Sequence, residues 1–144
     1  MRRIKRGVFG LGVAAMTLAA GAHLSARGQD VTAKEGWVAL PAAGETTASA
    51  FAVIRNPTMY DIYLVSAVSD VAGRVEFRKR SDGEAKAVAE LTVPAYGKLT
   101  MGADGVHLLL VDLKRPLQED ESVSLTLTTD GNVKLRIQAV VRKE

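Results

Sequence analysis

Hydrophobic and polar residues alternate along most of this chain, in short runs separated by turn residues. In residues 123–128, for example, Val and Leu alternate with Ser and Thr. A period of two places successive side chains on opposite faces of an extended strand. The pattern predicts about nine short strands, with turn signals roughly every ten residues and no helix after residue 22. The predicted strands are residues 35–40, 46–54, 60–68, 74–80, 85–93, 98–101, 105–113, 123–128 and 133–141. We therefore expect an all-β fold, an antiparallel Greek-key β-sandwich of the cupredoxin or immunoglobulin type.

The most apolar of these runs, residues 105–113, contains one imidazole, that of His107. The run begins with Gly105, and a basic, proline-containing turn follows it, which is typical of a buried central strand. Because residues two apart share a face, His107 points the same way as Leu109 and Val111. The side chains beside His107 decide whether this face is a metal site or part of the core.

The first 22 residues have the order of a secretory signal peptide. Basic residues within 2–6 precede an apolar stretch at 8–20, and Ala20-Gly21-Ala22 is a small-x-small cleavage site. The apolar stretch is short for a membrane-spanning helix, and an uncleaved anchor is the alternative. We therefore expect a signal peptide at 1–22, a flexible leader at 23–34 and one domain at 35–144. The expected location is the periplasm, with no stable membrane insertion after cleavage.

Charge and cysteine content narrow the class of protein further. The chain has 19 Lys and Arg and 16 Asp and Glu, but four of the basic residues precede Ala22, so the remainder carries 15 − 16 = −1. A near-neutral domain has no basic surface excess of the kind that binds nucleic acid, so no nucleic-acid partner is expected. The absence of cysteine excludes disulfides and a cysteine-linked lipid within these 144 residues.

No catalytic constellation is visible in the sequence. The two histidines are His23, beside the cleavage site, and His107, within an apolar strand. Neither a clustered pair of carboxylates nor a glycine-rich phosphate loop accompanies them. We expect that the protein is not an enzyme.

Several segments resemble the periplasmic copper chaperone PCu(A)C family, whose members are small exported domains of cupredoxin-like fold. They occur in the family's order from about Trp37 to the C-terminus. After the Trp37 strand they are Ala72-Gly73-Arg74-Val75-Glu76-Phe77, Val93-Pro94-Ala95-Tyr96-Gly97, Gly105-Val106-His107-Leu108-Leu109, Leu113-Lys114-Arg115-Pro116-Leu117 and Val123-Ser124-Leu125-Thr126-Leu127.

The resemblance implies a Cu(I) site made of two histidines and two methionines, of which this chain retains one ligand position. Arg78 stands where the family has its first histidine, and no sulfur occurs near residues 85–89, where the family has a methionine. His107 stands at the second histidine, but Leu109 replaces the methionine of the His-x-Met pair. Copper is thus a cofactor by resemblance only, and copper binding is expected to be weak or absent.

The remaining candidate donors have simpler interpretations. Met101 could lean toward His107, but the alternating pattern favours a core position for it. Met59 lies in a predicted turn, where no role is required of it. If cleavage followed Ala22, the new N-terminus at His23 would offer an amine and an imidazole to Cu(II), as an alternative.

The resemblance implies copper delivery to the copper centre of a respiratory oxidase, with that oxidase or another copper chaperone as partner. The alternative is a metal-free periplasmic adaptor that uses a basic rim around Arg78, formed by Arg74, Arg78, Lys79 and Arg80. The same charges also protect an edge strand from pairing with other chains, which needs no partner.

Overall fold

The computed structural model describes residues 30–144, and the chain in this range is all-β. The expected signal peptide at 1–22 and His23 lie outside the described residues. No helix within residues 30–144 is long and apolar enough to cross a membrane. The ten strands are β1 (Thr32–Ala39), β2 (Thr47–Asn56), β3 (Ile62–Ser69), β4 (Ala72–Ser81), β5 (Glu84–Val88), β6 (Leu91–Val93), β7 (Gly97–Thr100), β8 (Val106–Leu113), β9 (Ser122–Thr129) and β10 (Lys134–Arg142).

The strands form one sheet that folds over on itself. Their order is β5-β4-β8-β2-β1-β10-β9-β3-β6, and β7 adds to β2. Strand pairs in the sheet are antiparallel except β1 with β10. Because β3 packs against β4 without pairing with it, the sheet becomes two layers with a barrel-like outline. This architecture confirms the predicted all-β, cupredoxin-like fold.

The core lies between the two layers and follows the period-two pattern of the sequence. On β9, Val123, Leu125 and Leu127 are buried while the residues between them are partly exposed. On β8, Leu108 and Leu110 are fully buried and lie opposite Phe77 and Val75 of β4. Burial of such side chains stabilises each by about 1.5–3 kcal/mol relative to exposure.

Two predicted boundaries differ from the structure. The predicted strand 85–93 is two strands, because residues 84–88 pair with β4 in one layer and residues 91–93 pair with β3 in the other. The first strand begins at Thr32, three residues before the expected start of the domain at residue 35. A bulge between Lys34 and Trp37 separates its two halves. At this bulge Glu35 has a φ of 55°, and a Cβ on Gly36 would clash with Cγ2 of Ile137.

Candidate functional site

The strand β8 lies between β4 and β2, and its outward face carries His107. The register places His107 opposite Arg78 of β4, and Leu109 opposite Glu76. Cross-strand partners share a face of the sheet, so these four side chains lie on the same side, away from the core.

One residue of the range 85–89, where the resemblance implies a methionine, also falls on this face. On β5, Ala87 is the cross-strand partner of Arg78. The register therefore brings together Ala87, Arg78, His107 and Leu109 across three neighbouring strands. Of these four side chains, only that of His107 is a metal ligand by chemistry.

His107 is enclosed although it points away from the core. The residue is 5 % exposed, and the centroid of its ring lies 6.0 Å from the ring centroid of Phe51 on β2. Trp37 stacks on Phe51 at 4.6 Å, and the guanidinium of Arg142 lies 4.6 Å from the Trp37 ring centre. An aromatic row therefore separates the imidazole from solvent on the β1 side.

Burial and two nearby cations favour the neutral form of the His107 imidazole. Burial lowers the pKa of His107 below its ordinary value of 6.5, and the positive charges of Arg80 and Arg78 lower it further, while the Gly105 carbonyl acts in the opposite direction. The Nδ1 atom is buried and has no hydrogen-bond partner. A neutral imidazole with a free nitrogen is the form that binds metals, but here the charged groups that act on it, Arg80 and Arg78, are cations.

Arg78 is fixed in place by its contacts. Its Nη2 donates to Oε1 of Glu76 at 2.6 Å, and its Nη1 donates to the carbonyl of Ala85 at 3.1 Å. A guanidinium stays protonated in proteins and has no lone pair to offer a metal. Its position opposite His107 puts a permanent positive charge beside any ion that would bind there.

The predicted basic rim is partly neutralised. Arg74 pairs with Glu76 at 3.0 Å and with Asp112 at 3.4 Å. Hydrogen bonds from Arg74 and then Arg78 lower the pKa of Glu76. Arg80 instead donates to the carbonyls of Ala103 and Gly83, at 3.0 and 2.9 Å.

The described residues do not supply a second donor set for copper. No group of three or more His, Cys, Asp or Glu side chains lies together within residues 30–144. Met101 is buried in the core and Met59 is exposed, as the pattern predicted. Met101 lines one cavity with Trp37 and Phe51, but no methionine stands at position 109 or within residues 85–89, where the resemblance implies one. The Cu(I) ligand set that the resemblance implies is therefore not complete at these positions.

Two features of the site were not predicted from the sequence. One is the aromatic row of Trp37 and Phe51, which lie on neighbouring strands and whose contact no local pattern indicates. The other is the pairing of Arg74 and Arg78 with Glu76. The alternation of Glu76 with two arginines was a usable signal for the second, since residues two apart on a strand share a face.

Solved structures show which class of domain has this fold. The copper-bound PCuAC domain from PmoF2 matches with 21 % identity and a TM-score of 0.69, over 79 % of this chain and 93 % of that one. The apo PCuAC domain from PmoF1 matches with 22 % identity and a TM-score of 0.70, over 79 % and 94 %. The Cu(I) form of DR1885 from Deinococcus radiodurans is 31 % identical, with a TM-score of 0.68 over 79 % of both chains. The resemblance to PCuAC copper chaperones is thereby confirmed.

Sequence comparison assigns the family. Residues 31–141 match the family model described as "Putative lipoprotein LpqE-like", and this chain belongs to that family. The "Putative lipoprotein Lxx21020" of Leifsonia xyli subsp. xyli (strain CTCB07) is 27 % identical over 132 residues, which cover 87 % of this chain and 78 % of that protein.

Proposed function

We propose that this protein is an exported copper chaperone-type domain whose own Cu(I) binding is weak or absent. The observation that carries the proposal is the register of β4 on β8, which sets Arg78 opposite His107. In this proposal the protein keeps the scaffold of the copper proteins that it resembles, but not their ligand set.

The physical argument has two parts. Replacement of an imidazole by a guanidinium removes a donor and adds a repulsion, which at 4 Å and a near-surface dielectric amounts to about 4 kcal/mol for a unit charge. Replacement of a methionine by Leu109 conserves volume but removes the thioether. One neutral imidazole does not bind Cu(I) tightly without further soft ligands.

The family's task, delivery of copper to a respiratory oxidase, is proposed for this chain in a restricted form. With one ligand of its own, the domain would have to take copper together with another copper chaperone that supplies the missing donors. A periplasmic location follows from the expected signal peptide at 1–22. No catalytic step is proposed.

A Cu(I) competition titration tests the proposal. The processed protein, purified from its own periplasm, is titrated without oxygen against a chromophoric Cu(I) chelator. We expect the chelator to retain the copper, and His107→Ala to abolish any residual binding. The triple variant Arg78→His/Ala87→Met/Leu109→Met restores the implied ligands and should gain at least tenfold in affinity. Tight one-to-one retention of Cu(I) by the unmodified protein would overturn the proposal.

The second candidate is a metal-free adaptor that uses the basic rim. Lys79 and Arg80 favour it, because both are exposed and neither forms an ion pair with a carboxylate among residues 30–144. Cations that pair with no carboxylate in the described part of the chain remain available to an acidic protein.

Charge reversal tests this candidate. Lys79→Glu/Arg80→Glu should abolish capture of a periplasmic partner by immobilised protein. Lys114→Glu/Lys143→Glu, which makes the same change of charge elsewhere on the surface, should leave it intact. Equal capture by both variants, or no capture by the unmodified protein, rejects the adaptor.

A further inference from the structure

One end of the molecule carries large apolar side chains that face solvent. Three connections meet there: residues 57–61 between β2 and β3, residues 94–96 between β6 and β7, and residues 130–133 between β9 and β10. We call this surface the loop end. Its exposed side chains are Met59 (60 %), Tyr60 (71 %), Tyr96 (73 %) and Val133 (52 %).

Buried hydrogen bonds hold these loops in place. The side chain of Asn56 is fully buried, and its Nδ2 donates to the carbonyls of Tyr60 at 2.8 Å and Val93 at 3.0 Å. Its Oδ1 accepts the amide of Thr58 at 3.0 Å, while the Tyr96 amide donates to the Thr58 carbonyl at 2.9 Å. The exposure of the apolar side chains is therefore built into the fold and does not come from loose loops.

The backbone of Tyr96 supports this conclusion. Its φ is 55°, a left-handed conformation that glycine and asparagine adopt more readily than an aromatic residue. Gly97 follows immediately, yet the unfavourable conformation is taken by the tyrosine. Such strain at an exposed residue is often associated with function.

Positive charges flank the loop end. Arg55 of β2 lies opposite Lys98 of β7, and Lys34 and Lys134 are exposed on neighbouring strands. None of the four forms an ion pair within residues 30–144.

Four carboxylates lie near these four cations, and they belong to Asp30, Glu35, Asp61 and Asp130. Asp61 accepts the amide of Ala95 at 2.9 Å, and Asp130 accepts the amide of Tyr63 at 3.2 Å. Two of the carboxylates are therefore held by the backbone, whereas none of the cations is held in an ion pair within residues 30–144.

The chain enters the domain at the same end. Thr32 pairs with Arg55, and Asp30, Val31, Thr58 and Val133 line one cavity. Nine residues, 21–29, separate the apolar stretch 8–20 from residue 30, and nine residues can span at most about 32 Å. A membrane that holds the apolar stretch before cleavage would therefore lie within about 32 Å of residue 30, on the side of the loop end.

We propose that the loop end docks on the surface of an anionic lipid bilayer. Tyrosine side chains favour the membrane–water interface, where the ring is shielded and the hydroxyl stays hydrated. Lysine and arginine beside them are attracted to the headgroup phosphates. The domain binds peripherally, with Tyr60 and Tyr96 at headgroup depth and Arg55 and Lys98 on the phosphates.

A dye attached at a single cysteine tests the orientation. The chain contains no cysteine, so Val133→Cys and Val68→Cys can each be labelled at one site with a polarity-sensitive fluorophore. Val68 lies on β3 away from the loop end and is 60 % exposed, which makes it a matched control. With vesicles of phosphatidylglycerol and phosphatidylcholine, we expect a blue shift for the label at position 133 and none at 68. Shifts of equal size at both positions, or none at 133, would overturn the proposal, whether or not the leader has been removed.

Co-sedimentation of the processed protein with the same vesicles measures the affinity. Tyr60→Ser/Tyr96→Ser and Lys98→Glu should each lower the partition coefficient by about tenfold or more. The controls Val68→Ser and Lys114→Glu should leave it unchanged. Binding that is lost in high salt but unaffected by the tyrosine changes would contradict the proposed geometry. Absence of binding to anionic vesicles, with capture of a protein at this surface instead, would contradict it as well.

Discussion

His107 combines features that would be unfavourable unless the surrounding structure held them. The imidazole is enclosed, its Nδ1 has no partner, and the charged groups that affect it most are Arg80 and Arg78. A buried polar atom without a hydrogen bond costs roughly 1–3 kcal/mol. The domain tolerates this cost because Phe51 and Leu108 beside it are buried, and because burial favours the uncharged ring.

The lowered pKa of His107 makes a prediction about pH. The unfolded chain has the ordinary pKa, so as the pH falls through about 6.5 it takes up a proton before the folded protein does. The free energy of unfolding should therefore be constant above this range and decrease as the pH falls from 7.5 to 5.5. Urea unfolding, followed by the fluorescence of the single tryptophan Trp37, measures the decrease.

Two variants separate the contribution of His107 from other titrations. His107→Leu and His107→Gln cannot take up the proton, so both should show a smaller decrease between pH 7.5 and 5.5. The lowered pKa values of Glu76 and Glu121 act at lower pH, because these carboxylates lose their stabilising pairs only below about 4.5. The same decrease in the variants as in the unmodified protein would show that His107 is not the titrating group.

At the scale of strands, the alternation of polar and apolar residues predicted most of the fold. The strands around β8 and β9 were located to within one or two residues, because each has one face in the core. Strand 85–93 was predicted as one element, since its small and aliphatic residues continue without a turn signal. Its division depends on pairing with two different layers, and that pairing is not local in sequence.

The bulge in β1 was missed for a related reason. Glu35-Gly36 was taken as the beginning of a strand, while Thr32 to Lys34 were assigned to the leader. The structure shows that Gly36 lies against Ile137 of β10, where a side chain would not fit. A close approach between strands that are a hundred residues apart in sequence leaves no periodic signal.

The loop end was not predicted, because turn residues were used only to mark where strands begin and end. Asn56-Pro57 and Pro94-Ala95 were correctly recognised as breaks, but their neighbours Tyr60 and Tyr96 were assigned to a strand and to a connection. The exposed state of both rings depends on Asn56 and its hydrogen bonds across the two loops. Buried asparagine is difficult to predict from one sequence, since most asparagines are exposed.

At the scale of the whole molecule, the two faces of each strand explain how a site can change while the fold is kept. Phe77 and Leu108 face the core, whereas their neighbours Arg78 and His107 face outward. Substitution at an outward position by a side chain of similar size alters the chemistry and leaves the core packing intact, while truncation of an inward side chain would cost about 2–5 kcal/mol. The resemblance therefore predicts the fold, which the inward residues determine, and does not fix the chemistry of the outward face.

The extent of the domain is the last property that can be tested. The sequence assigned residues 23–34 to a flexible leader, but Thr32, Ala33 and Lys34 pair with β2, and Ala33 packs against the core. A chain that begins at residue 35 loses these three pairs and part of the apolar contact. We expect it to unfold with a free energy about 2–3 kcal/mol lower than a chain that begins at residue 30. Urea unfolding monitored by Trp37, which both chains contain, measures the difference. The chain that begins at residue 30 should have the same free energy of unfolding as the chain that begins at residue 23, after the expected cleavage site. Equal free energies for these two chains and the chain from residue 35 would place the start of the domain at residue 35.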